Sequence, residues 1–126
     1  MSAAFGETRR GVRRHKFNAK PTEVDGEYFA SRREARRYRE LKLLLYAGRI
    51  RDLVLQPEYP LHIVKLYRNG WPIEIATVAK YIGDFEYTDC QSGEIKTEDT
   101  KGFRTAVYRL KQKLMAAIHG IHIYEV

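Results

Sequence analysis

An acidic side chain inside an apolar run must reach water or find a partner, and this chain places two such acids on segments that a turn brings side by side. Tyr81-Ile82-Gly83-Asp84-Phe85 and Thr97-Glu98-Asp99-Thr100-Lys101-Gly102 both read as strand. Between them Asp89, Ser92 and Gly93 supply turn chemistry, which predicts a hairpin with Asp84 on one arm and Asp99 on the other. Side chains alternate along a strand, so Asp99 and Lys101 are expected on one face and Glu98 and Thr100 on the other. Two carboxylates and an ammonium then converge. Carboxylate oxygens suit a hard cation such as Mg²⁺ or Mn²⁺, and a lysine beside them can hold a metal-bound hydroxide or a phosphate oxygen. The pattern is that of a site for hydrolysing a phosphodiester.

The surrounding segments predict an α/β (mixed) domain built on a single sheet. Met1 to about Lys20 lacks periodicity and reads as a flexible basic arm, with residues 21–126 as one domain. Asp25-Gly26 predicts a tight turn between Thr22-Glu23-Val24 and Glu27-Tyr28-Phe29. A helix then runs from Ser31 to Gly48, with Tyr38, Leu41 and Leu45 at helical spacing. Strands are expected over Ile50–Gln56, Leu61–Leu66, Ile73–Tyr87 and Ile95–Thr100, with Asn69-Gly70 as a turn. A second amphipathic helix over Arg104–His119 carries Val107, Leu110, Leu114 and Ile118 on one stripe and stops at Gly120. Ile121–Val126 is a final strand. By this pattern Trp71, beside the Asn-Gly turn, is a packing residue with a base-stacking platform as the alternative, and Tyr81 and Tyr87 are core residues on the face opposite Asp84.

Charge separates the chain into two regions. Residues 1–51 hold 14 Lys/Arg against 6 Asp/Glu, whereas residues 52–126 hold 9 against 10. A basic arm followed by a basic helix suits a phosphate backbone, since each neutralised phosphate releases counterions. Candidate contacts are Arg9, Arg10, Arg13, Arg14 and Lys16 in the arm, Arg32, Arg33 and Arg36 on the first helix, and Arg104 and Lys111 at the second. A solubilising face is the alternative reading. No apolar run reaches the roughly 20 residues needed to span a membrane, and the arginines near the N-terminus have no apolar segment behind them, unlike a secretory signal. Cys90 is the sole cysteine, so an internal disulfide is excluded and a reducing cytoplasm is the expected location. His15, His62, His119 and His122 lack the spacing of zinc ligands.

Two further polar positions stand out. Ser31-Arg32-Arg33-Glu34 fits a capping box, in which Glu34 reaches back to the helix start. Glu34 also heads the stripe of Tyr38, Leu41 and Leu45, where a buried carboxylate needs a partner that a metal site would supply. Gln56, beside Pro57, can support the site or satisfy a loop, and Glu98 is a second supporting candidate.

As a set, Glu34 on the first helix, Asp84 on one strand and Asp99-Thr100-Lys101 on the next resemble the PD-(D/E)XK nuclease superfamily. Lys16-Phe17-Asn18-Ala19-Lys20, Ser31 to Tyr38, Leu55-Gln56-Pro57, Tyr81 to Phe85 and Glu98 to Arg104 are similar to a family of small phage and prophage proteins within it, related to Holliday-junction resolvases. The resemblance runs from about residue 16 to the C-terminus. It implies a restriction-endonuclease-like αβββαβ core, with a central mixed sheet flanked by two main helices. It implies Mg²⁺-dependent endonuclease activity on DNA, including branched DNA, in the cytoplasm of a bacterial host. Asp84, Asp99 and Glu34 would be metal ligands with the backbone carbonyl of Thr100, and Lys101 would position the nucleophile. Gly83 departs from the proline of the superfamily name. A homodimer is compatible with these features, and so is a non-catalytic nucleic-acid-binding module that keeps the fold.

Overall fold

The structure is a computed structural model that describes residues 21–100 and 103–126. These fall into two compact units divided between Gly48 and Arg49, a division inside the region that the sequence suggests is one domain.

In the first unit, β1 (Thr22–Val24) and β2 (Glu27–Phe29) form an antiparallel hairpin. Asp25 and Gly26 both have positive φ, 54° and 81°, as a type I′ turn requires. Helix α1 (Arg32–Tyr46) begins at Ser31, whose hydroxyl accepts a hydrogen bond from the Glu34 amide at 3.2 Å, satisfying one of the amides a helix start leaves open. Ala35, Tyr38 and Leu41 are buried along one stripe, and the Phe29 ring lies 4.8 Å from that of Tyr38.

In the second unit, β3 (Ile50–Leu55), β6 (Phe85–Asp89), β7 (Ile95–Asp99) and β8 (Ile123–Glu125) form a mixed sheet in the order β3-β6-β7-β8. Its first two pairings are antiparallel and the last is parallel. Strands β4 (Glu58–Leu66) and β5 (Pro72–Ile82) pair separately as a long antiparallel arm. Helix α2 (Ala106–Leu114) continues into a π-helical turn, Met115–His119, that ends on Gly120 in the left-handed conformation. The apolar centre of this unit joins Leu61 of β4 and Tyr81 of β5 to Tyr108 of α2, to Met115, and to Ile123 of β8.

The expected mixed α/β class, with a central mixed sheet and two helices, is present, but three details differ. The continuous strand expected over Ile73–Tyr87 is broken at Gly83-Asp84, which separates the β4–β5 arm from the four-stranded sheet, and with the β1–β2 hairpin the strands form three sheets rather than one. The break is held by backbone bonds from the Gly83 amide to the Pro57 carbonyl at 3.0 Å and from the Gln56 amide to the Asp84 carbonyl at 2.9 Å. On α2, Val107 and Leu110 are exposed, and Tyr108 and Met115 are the buried positions. A tyrosine takes the core-facing place because its hydroxyl finds a carboxylate partner, Glu125. Trp71, expected to pack, is 69% exposed at the end of the β4–β5 arm.

Gly83 explains its own identity. A β-carbon there would lie 3.3 Å from Thr97 Cγ2, 3.4 Å from the Tyr81 ring and 3.5 Å from the Glu98 carbonyl. A proline in its place would also lose the donor that bonds to Pro57. Gly83→Ala should therefore overpack the junction of β5 and β6 and destabilise the fold by about 1 kcal/mol. Urea unfolding measures the change, and an unaltered midpoint would show that Thr97 and Tyr81 yield without cost.

Candidate active site

The break at Gly83-Asp84 positions the first acid. Asp84 stands just before β6, and its amide donates to the Glu98 carbonyl of β7 at 2.9 Å. Its carboxylate accepts at Oδ2 from both the amide and the hydroxyl of Thr100, at 2.7 and 2.8 Å. Thr100, expected to contribute through its carbonyl, thus meets Asp84 through its two donors.

Asp99 ends β7 and is 4% exposed. The Tyr81 hydroxyl donates to its Oδ2 at 2.5 Å. Burial pushes the Tyr81 phenol well above its ordinary range; the bond to Asp99 and the charges of Asp99 and Asp84 act in the same direction. Tyr81 is therefore a neutral donor at physiological pH. Of the two acids on the arms of the predicted hairpin, Asp99 meets this hydroxyl directly.

Tyr81 was expected in the core but on the face away from the acids. It is buried as expected, at 3% exposure, and shares the acids' face. Alternation fails because the chain bends between residues 82 and 85, so residues on either side of Gly83 no longer keep the strand count. A glycine inside a strand pattern is the available sequence signal for such a break. Tyr87, past the break, keeps the opposite face and donates to Glu98. Glu98, a supporting candidate, is thereby directed away from Asp99, as alternation within β7 requires.

Two more tyrosine–acid pairs repeat this arrangement. Tyr59 of β4 donates to Glu86 of β6 at 2.6 Å and meets the Thr97 hydroxyl at 2.8 Å. Tyr108 of α2 donates to Glu125 of β8 at 2.9 Å. Glu86, Asp99 and Glu125 lie on consecutive strands β6, β7 and β8, with Thr97 opposite Glu86 and Asp99 beside Glu125 in register. Tyr59 and Tyr108 are both raised above the ordinary phenol range, chiefly by burial and then by the bonds to Glu86 and Glu125. None of these four partner residues was marked by the sequence, because each pair joins segments separated by 17 to 27 positions.

The remaining candidates fall as follows. Glu34 belongs to the first unit and is buried, at 4% exposure. Gln56 takes a left-handed φ of 52° and contributes its amide to the Asp84 carbonyl, so its backbone supports the acid's loop. Arg32, Arg33 and Arg36 are exposed on α1. Arg104 is engaged with Glu125, its Nε lying 2.9 and 3.1 Å from the two carboxylate oxygens. Lys111 donates to the Lys80 carbonyl at 2.9 Å. Lys101, Arg9, Arg10, Arg13, Arg14 and Lys16 lie outside the described residues.

A family profile described as "Protein of unknown function (DUF1064)" matches residues 14–122. The chain belongs to this family. No curated protein and no solved structure matches it. The DUF1064 match includes Glu34, Asp84, Asp99 and Lys101, together with Tyr59, Tyr81 and Tyr108.

Among the described residues, no group of three or more His, Cys, Asp or Glu side chains is gathered for a metal ion. Asp84, bonded to Thr100, and Asp99, the residue before Thr100, each offer carboxylate oxygens at the end of β7. Mg²⁺ retains several waters and is commonly held by one or two carboxylates plus substrate phosphates, so this donor set suits it, whereas it does not suit a soft-ligand metal.

Glu125 provides a pH test of the sheet edge. Its bond to Arg104, and then that to Tyr108, holds its carboxyl below the ordinary value of 4.5. A depressed folded-state pKa contributes stability that is present above the unfolded value and lost as pH falls through the folded one. The wild-type melting temperature should therefore fall more between pH 6 and pH 3, about the carboxylate range, than that of Glu125→Gln. Parallel curves would show that the Arg104–Glu125 contact carries no linkage.

Proposed function

We propose that this DUF1064 protein is a metal-dependent nuclease that hydrolyses DNA phosphodiester bonds, with Asp84 and Asp99 as its acidic centre. The observation carrying this reading is that two acids meet at the end of β7, each with an anchored oxygen: Asp84 on the amide and hydroxyl of Thr100, and Asp99, the residue before it, on the buried Tyr81 hydroxyl. Two carboxylates brought onto one cation would repel one another without it, so the cation would complete the site. The resemblance to PD-(D/E)XK nucleases adds Lys101 as a further site residue and DNA as the substrate.

Each residue has a distinct task in this reading. Asp84 and Asp99 would hold Mg²⁺, which supplies Lewis acidity and lowers the pKa of a bound water. The Thr100 amide and hydroxyl fix the rotation of Asp84, and Tyr81 fixes that of Asp99, so the acids need little rearrangement on binding. Lys101 would orient the attacking water or neutralise charge on the phosphate. In the hydrolysis, the water oxygen bonds to phosphorus and the bond to the leaving sugar oxygen breaks. The proton lost by the water balances the one gained by that oxygen. Cations on α1 and in the N-terminal arm would add phosphate contacts.

Asp84→Ala, Asp99→Ala and Lys101→Ala should each lower Mg²⁺-dependent cleavage of plasmid and junction DNA by on the order of 10² or more. Circular dichroism checks that the variants stay folded. Full activity in Asp84→Ala would defeat the assignment, and absence of cleavage by wild type in both Mg²⁺ and Mn²⁺, with DNA still bound, would favour a binding-only module.

Tyr81→Phe should raise the Mg²⁺ concentration for half-maximal cleavage about tenfold while leaving a folded protein, since losing an outer hydrogen bond to a metal ligand typically costs 10- to 100-fold in affinity. Titration with Mg²⁺ under fixed DNA reads this directly. An unchanged midpoint would make the Tyr81–Asp99 bond structural only.

A further inference from the structure

The β4–β5 arm ends in an aromatic tip that the acidic centre does not use. Strands Glu58–Leu66 and Pro72–Ile82 pair as far as Leu66 opposite Pro72. Beyond that pair the chain turns through Tyr67-Arg68-Asn69-Gly70-Trp71. The turn is held by the Tyr67 amide to the Trp71 carbonyl at 2.8 Å, the Gly70 amide to the Tyr67 carbonyl at 2.9 Å, and the Trp71 amide to Asn69 Oδ1 at 3.0 Å. It presents two large rings to solvent, Tyr67 at 58% and Trp71 at 69% exposure.

Exposing two aromatics on a bonded turn gains nothing for folding, since their apolar surface stays in water. Charge around the tip narrows what could cover them. Along the arm, Lys65 is paired with Glu74 at 3.0 Å and Lys80 with Glu58 at 3.1 Å, so the shaft is locally neutral. From Leu66 to Ile73 the sole charged residue is Arg68, with no acid. A cation between two exposed rings matches the chemistry of a nucleic acid with an unstacked base. Phosphate pairs with the guanidinium, and bases of any identity stack on aromatic faces.

We propose that this tip is a stacking wedge that takes an unpaired base of branched or bulged DNA, with Trp71 and Tyr67 as the stacking surfaces and Arg68 on the adjacent phosphate. The inference rests on the nucleic-acid part of the reading above and names its preferred substrate class. Fully paired duplex offers no free base face along its length, so a wedge of this kind discriminates by unstacking rather than by base sequence.

Trp71 is the sole tryptophan of the chain, so its emission reports on the tip alone. The full-length protein is titrated in EDTA with a bulged duplex, a four-way junction and a fully paired duplex of equal length, with excitation where tyrosine does not absorb. The bulged duplex and the junction should quench Trp71 saturably and more tightly than the paired duplex. Trp71→Ala and Tyr67→Ala, followed by anisotropy of labelled DNA, should each weaken binding to the bulged duplex by about tenfold, the loss expected for one base–aromatic stack, and Trp71→Phe should recover most of it. Equal quenching by paired and bulged DNA, or wild-type affinity of Trp71→Ala for the bulge, would overturn the wedge. Emission that changes with protein concentration alone would overturn it in favour of an interface between copies of the chain. Because binding is read without metal, a failure of nuclease chemistry leaves these outcomes intact. Mg²⁺-dependent cleavage with a silent Trp71 would remove the wedge and keep the nuclease.

Discussion

The hydrogen bond from Tyr81 to Asp99 is the contact on which the second unit is organised. A carboxylate almost wholly removed from water is costly unless a donor meets it. Asp99 obtains that donor from a phenol whose own burial, together with this bond, keeps it protonated. Each group makes the other tolerable in the interior. The Tyr81 ring is part of the apolar centre with Leu61, Tyr108, Met115 and Ile123, so the same side chain joins core packing to the acidic face.

That pairing recurs across the sheet. Tyr59 with Glu86 and Tyr108 with Glu125 place a phenol over an acid on each side of the central pair, and the Tyr59 and Tyr81 rings lie 6.1 Å apart while Tyr81 and Tyr108 lie 6.5 Å apart. Phenols suit the position because their rings fill space as hydrocarbon does and their hydroxyls still donate. The result is an acidic row held on a rigid layer. A cation held by the proposed acidic centre would benefit from that fixed placement, since ligands fixed before binding lose little freedom on binding.

Both strands that carry the acids depend on the bend at Gly83-Asp84. There the backbone is committed on two sides, to Pro57 and Gln56 before β4 and to Glu98 on β7, and a β-carbon at Gly83 would press on the Thr97 methyl at 3.3 Å. Gly83 is thus a position where this chain needs a small residue with an amide proton to donate.

The sequence by itself determined the local features: the Asp-Gly turn of the first hairpin, the Ser31 start of α1, the turn around Asp89–Gly93, and the placement of Asp84 and Asp99 on adjoining arms of a hairpin. Each follows from residues a few positions apart, where turn and cap chemistry act within one segment. Tertiary structure decided which face Tyr81 occupies, that Tyr59 and Tyr108 would serve acids on β6 and β8, and that Trp71 would stand in solvent while Tyr108 replaced Val107 and Leu110 in the core. Strand alternation predicts a face only while the strand remains unbroken, and helical periodicity marks an apolar stripe without saying whether a neighbour will cover it. Both of those outcomes depend on contacts between distant segments, which exist only once the bend at Gly83 has turned the chain.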